Sequence, residues 1–174
     1  MTNTKKNEKK REINLKEETK MTLTTYINDE QEKFEIRVAM KAIVRKAIFN
    51  TLVYEGFDFN AEVSVSFVNN ERIKELNSEY RNKDAVTDVL SFPLYDDFSD
   101  VISGQDCVPL GDIVISLERA AQQGYEIGHS IYHEVAFLCV HSTLHLLGYD
   151  HEKSQEDEEE MIKKQKDIME IMGF

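Results

Sequence analysis

The apolar positions of this chain change period several times, and each change marks an element. Residues 1–20 show no apolar period and are polar and rich in lysine, which predicts a flexible basic extension. The patterned region begins at Met21. Leu23 to Ile27 is rich in β-forming residues and closes at Asn28-Asp29, predicting a strand. Helical spacing through Val38, Ala42, Ile43, Ala47 and Ile48 predicts a helix over Phe34–Glu55, stopped by Gly56. Val63, Val65 and Phe67 alternate with Glu62, Ser64 and Ser66, predicting a half-buried strand over Ala61–Val68. Asn69-Asn70 can cap a helix over Glu71–Tyr80, with Ile73 and Leu76 inward. Thr87–Phe92 reads as a short strand stopped by Pro93, and the acidic stretch 95–110, with Gly104 and Pro109, as a loop.

Gly111–Leu117 then reads as a strand, Glu118–Gln123 as a helix closed by Gly124, and His129–Leu147 as a long apolar helix ended by Gly148. Ser154 caps a last helix. Its first turn is acidic (Glu156, Asp157, Glu158) and its later turns carry Lys163, Lys164 and Lys166, which complements the helix dipole. The order β-α-β-α-β-β-α-α-α predicts an α+β fold: a small mixed four-stranded sheet with about five helices packed on it. Neither an internal repeat nor a second domain is visible, so residues 21–174 are expected to form a single domain.

Composition adds limits. A chain of 174 residues with 41% hydrophobic side chains can bury a core without disulfides. Cys107 and Cys139 stand at no metal-like spacing and suggest no disulfide framework, so a reducing compartment is the default. No apolar run approaches the roughly 20 residues that span a bilayer, and no apolar stretch follows the lysines as in a signal peptide. A cytoplasmic protein without a membrane partner is expected. Residues 1–20 hold seven basic and four acidic side chains, a net +3, so the remainder carries −15 of the total −12. A body that acidic argues against broad electrostatic binding of nucleic acid but leaves room for a small basic cleft.

The chemistry sits in His141-Ser-Thr-Leu-His145-Leu-Leu-Gly148-Tyr-Asp-His151. Residues four apart on a helix lie one above the other, so His141 and His145 can reach one metal. Gly148 permits the left-handed conformation that ends a helix, and the chain can double back to bring His151 as a third nitrogen. Three protein ligands leave a fourth position for water or substrate, as in a catalytic zinc site. Imidazole suits zinc, although nickel or copper fits the same nitrogens. Two core-edge histidines and a surface one would be the plain alternative; three of the chain's five histidines within eleven residues weigh against it.

The spacing also resembles the metzincin protease motif, in which a glutamate follows the first histidine as general base. Ser142 stands there and cannot take that role at neutral pH. His133 lies two turns, roughly 12 Å, from His141 and cannot share its metal without distortion; packing or solvent exposure is expected for it, with a substrate-side role as the lesser alternative. Cys139 points away from His141 and is expected in the core.

The histidine segment resembles the signature of the YbeY family, bacterial metal-dependent endoribonucleases of ribosomal RNA maturation. Tyr80-Arg-Asn-Lys-Asp-Ala-Val-Thr-Asp-Val-Leu-Ser-Phe-Pro93 and Leu110-Gly-Asp-Ile-Val-Ile-Ser116 resemble two further blocks of that family, in the same order. The likeness runs from about residue 22 to 173. The family commonly has glycine where this chain has Ser142. The resemblance implies an α+β domain with His141, His145 and His151 on one zinc ion in a cleft. It also implies hydrolysis of single-stranded RNA, processing of the 3′ end of small-subunit rRNA, and disposal of defective ribosomes, with rRNA and the ribosomal small subunit as partners. The family's important arginine maps to Arg81, a candidate catalytic and substrate-binding residue that can hold a phosphate bidentately. Lys83 is a candidate second cation on the same loop, while Asp84 and Asp88 read as turn or cap residues. A ribosome-associated assembly protein with a structural zinc is the competing reading, and a metallopeptidase a weaker one because of Ser142.

Overall fold

The computed structural model describes residues 21–96, 106–150 and 152–174. Four strands form one sheet: β1 (Leu23–Asp29), β2 (Ala61–Val68), β3 (Val89–Pro93) and β4 (Val108–Ser116). Five helices accompany it: α1 (Val38–Tyr54), α2 (Asn70–Arg81), α3 (Leu117–Ile127), α4 (Ile131–Leu146) and α5 (Gln155–Met172). The spatial order is β1-β2-β4-β3; β1 and β4 run parallel to β2, and β3 pairs antiparallel with β4. The sheet is therefore mixed, and the α+β class expected from the alternation of periods is the one observed.

The main core lies between one sheet face and helices α1, α4 and α5, built from residues such as Ile48, Leu52, Val65, Ile113, Leu138, Leu144, Met161 and Ile168. A smaller cluster of Val68, Ile73, Leu90 and Val114 packs α2 on the β3–β4 end of the other face. Helix α4 is buried on most of its circumference, which is why it reads as apolar nearly all round. Leu144 and Leu146 are fully buried while His141 and His145 are half-buried, so the histidines occupy the one side of α4 that the core leaves open.

Several boundaries differ from the sequence expectation. Strand β3, for example, spans Val89–Pro93 and includes the proline expected to stop it, and four others have an identifiable local or tertiary cause. Helix α1 starts at Val38 rather than Phe34 because the buried Gln31 amide satisfies Phe34 in both directions. Phe34 N–H donates to Gln31 Oε1 at 2.8 Å, and Gln31 Nε2 donates to the Phe34 carbonyl at 2.8 Å. Strand β4 begins at Val108, inside the expected loop. Val108 and Leu110 are fully buried, and Pro109 is accommodated at a register shift opposite Glu62 and Val63. Gly124 lies within α3 and does not end it; Gly128 in the left-handed conformation does. A Cβ at Gly124 would stand 2.9 Å from the His129 carbonyl oxygen and 3.0 Å from Glu134 Cγ, so the glycine allows α3 to approach the start of α4. That start is capped by Ser130, leaving His129 just outside the helix.

Candidate metal centre

Gly148 adopts φ +94° and ends α4, as its position implies. The chain then folds back over the last turn, where the Tyr149 N–H donates to the Leu144 carbonyl at 3.1 Å. This return brings the Tyr149 carbonyl onto His145, whose Nδ1–H donates to it at 2.7 Å. A carbonyl can only accept, so His145 bears a proton on Nδ1, and Nε2 is the nitrogen turned towards His141. Nδ1 of His141 faces Gln165 Oε1 at 3.4 Å, which favours the same tautomer. The two Nε2 atoms lie 3.1 Å apart, with ring planes at 75°.

Nitrogens bound tetrahedrally at 2.0–2.1 Å from one zinc ion lie about 3.3 Å apart. The His141–His145 pair is thus close to the spacing of two ligands on one metal. Each outward Nδ1 is oriented by an oxygen, the usual support for a metal-bound histidine. His151, the third expected ligand, lies outside the described residues. Cys139 is fully buried, and burial pushes its thiol up to about 12, which suits a core residue and not a ligand. Ser142 is also fully buried, and its hydroxyl has no hydrogen-bond partner among the described residues.

The pair opens into a cleft of about 640 Å³ between the β3 strand and the turn after α4. Arg81, Tyr80, Phe92, Tyr95 and Lys153 line it together with His141 and His145. Arg81 is the last residue of α2, half-exposed, and pairs with Glu152 at 3.6 Å. Lys83 is exposed and does not line the cleft, because its N–H turns back to the Asn77 carbonyl at 3.2 Å. Asp88 is a structural acceptor: its carboxylate takes Val89 N–H at 2.8 Å and the Gln123 amide at 3.1 Å. Gly111, at φ +138°, lets β4 lie close against β3, the strand that lines the cleft, since a Cβ there would lie 2.2 Å from the Phe92 carbonyl oxygen.

Gln165, Tyr149 and Lys153 belong to this site and were not picked out from sequence. Gln165 left a signal, being the one polar member of the buried row Met161, Gln165, Ile168, Met169 and Met172 on α5. A polar residue in an apolar stripe has a partner to satisfy. A different group, His129, His133 and Glu134, could also hold a metal ion, with ligand atoms within 4.8 Å of one another. Among the described residues it is the one such set of three.

A helix-borne histidine pair opening into a polar cleft of an α+β domain is an arrangement compatible with a hydrolase. Residues 26–173 match the family Endoribonuclease YbeY, and the chain belongs to that family. It is similar to the endoribonuclease YbeY of Clostridioides difficile, 50% identical over 144 residues covering 82% of this chain and 92% of that protein. The endoribonuclease YbeY of Alkaliphilus metalliredigens is 44% identical over 154 residues, covering 88% and 98%. The solution structure of TM1509 from Thermotoga maritima superposes with a TM-score of 0.56 at 28% identity, covering 84% of this chain and 87% of that one. Family members are hydrolases that cleave RNA. No described helix is long and apolar enough to cross a membrane.

Proposed function

We propose that this chain is a zinc-dependent endoribonuclease of the cytoplasm that cleaves single-stranded RNA in ribosomal RNA maturation, at the 3′ end of small-subunit rRNA, and in ribosome quality control. The supporting observation is the His141–His145 pair, with Nε2 atoms 3.1 Å apart, in the same cleft as Arg81. In this reading residues 21–174 form one catalytic domain, and the basic extension 1–20 lies outside the described residues.

The described donors fit zinc: two imidazoles oriented by the Tyr149 carbonyl and Gln165 would hold the ion, and His151 would be the third ligand. When bound, the ion supplies Lewis acidity that acidifies water and polarises a phosphoryl oxygen. Arg81 holds the phosphate through its guanidinium fork and stabilises charge developing on it. Lys153 adds a second cation inside the cleft, and Lys83 attracts the RNA backbone from the exposed end of α2. Tyr80 and Phe92, edge to face at 5.2 Å, offer flat apolar surface to unpaired bases, which double-stranded RNA does not present.

The test is cleavage of single-stranded RNA by purified protein, with and without chelator, and by the His141→Ala and Arg81→Ala variants. Cleavage unchanged by all three would overturn the proposal. The −15 charge outside the extension favours an assembly protein with a structural zinc as the second reading. That reading requires folded Arg81→Ala protein to support ribosome maturation as well as the parent does.

A further inference from the structure

We propose that His129, His133 and Glu134 form a second zinc site, separate from the His141–His145 pair. Two donor distances carry the proposal. Glu134 Oε1 lies 3.2 Å from His129 Nδ1 and 3.4 Å from His133 Nδ1. Donors on a tetrahedral zinc at 2.0–2.1 Å stand about 3.3–3.4 Å apart, so both distances match edges of that tetrahedron. The two rings lie side by side with centroids 3.8 Å apart and planes tilted by 50°, and all three ligand atoms fall within 4.8 Å of one another.

The local backbone builds this convergence. Ser130 caps α4 by accepting the His133 N–H at 3.2 Å, so His133 and Glu134 leave from the first turn while His129 approaches from the preceding residue. Glu134 is only 5% exposed. A carboxylate taken that far from water needs positive charge or donated hydrogen bonds. The close approach of α3 at Gly124 closes the inner side of the group. Phe174 sets its ring edge-on to His133 at 5.1 Å, and the outer side opens past the exposed His129. Two imidazoles, one carboxylate and one open side make a donor set that zinc favours over magnesium or calcium. The positive end of the α4 dipole opposes a cation here, and the Glu134 carboxylate in the first turn offsets it. His133 and His141 are eight residues apart, roughly 12 Å along α4, so one ion cannot serve both groups.

The experiment counts zinc bound by the stripped and reloaded full-length chain, using His133→Asn, His129→Asn and His141→Asn variants. Two ions per chain are expected in the parent and one in each variant. Substituting His133 or His129 should leave RNA cleavage intact, so failure here is distinct from failure of the endoribonuclease reading. As a second measurement, zinc should raise the thermal midpoint of the His141→Asn protein and lose that effect when His133→Asn is added. A parent that binds one ion, lost in His141→Asn and kept in His133→Asn, overturns the proposal. So does a His133→Asn variant with undiminished zinc content.

Discussion

The Tyr149 hydroxyl donates to the Glu55 carboxylate at 2.5 Å, joining the turn after α4 to the end of α1 across 94 residues. The backbone carbonyl of the same tyrosine accepts the His145 Nδ1–H. Lys164 of α5 completes the junction, bonding the other Glu55 oxygen at 2.9 Å and lying 5.0 Å from the Tyr149 ring centroid. Burial opposes the Lys164 charge, but its bonds to Glu55 and Tyr149 prevail and raise its pKa. The orientation of a candidate metal ligand is thus tied to three helices.

Tyr149→Phe should therefore act in two ways. Loss of a hydrogen bond to a charged group lowers stability by about 1–2 kcal/mol, read by thermal or denaturant unfolding. Looser support for the His145 carbonyl partner lowers zinc affinity by up to about tenfold, read by competition with a chelator. An unaltered zinc affinity would show that the turn is held without Glu55.

Arg81→Ala should reduce kcat/KM for RNA cleavage by about 100-fold, since a phosphate clamp acts on charge that develops in the transition state. Its ion pair with Glu152 is exposed on both sides, so the thermal midpoint should hardly move. Arg81→Lys recovers part of the loss, because an ammonium lacks the planar fork. Lys153→Ala should raise KM, and Lys83→Ala should change it less. Steady-state kinetics on one short RNA separates the three.

Ser142→Ala should stabilise the protein by about 1 kcal/mol, because it removes a buried hydroxyl that has no partner among the described residues. Cleavage and zinc content should stay as they are. A destabilised variant would mean that the hydroxyl is satisfied in solution.

The Glu118 carboxyl is held below its usual range by the Lys33 ammonium first and by the Asn70 N–H second. A folded-state pKa below the unfolded one stabilises above the unfolded pKa of about 4.3 and is lost as pH falls through the folded value. The difference in stability between the parent and Glu118→Gln should be about 1 kcal/mol near neutral pH, since Lys33 is largely exposed, and should close below about pH 4. Asp167, lowered by Lys163 and then Tyr54, adds to the acid transition in the same direction. Denaturant titrations at several pH values check the sign.

Much of this architecture was legible because neighbouring residues encode it. Alternation fixes which face of β2 is buried, and the spacing of His141 and His145 fixes that they share a side of α4. Gly148 announces the end of that helix by the backbone conformation it permits. Lys83 is adjacent to Arg81 in sequence, but its backbone N–H bonds the Asn77 carbonyl and it is not among the residues lining the cleft.

By itself, then, the sequence determined the elements, their order, the histidine pair and the family, because these depend on periodicity and on residues within a turn or two of each other. The tertiary structure alone decided that β4 reaches back to Val108 and that Gly124 stays inside α3. It also decided that Gln165 meets His141 and that Glu55 holds Tyr149. Each of these rests on a partner brought near by sheet register or helix packing, and no local pattern specifies where such partners meet.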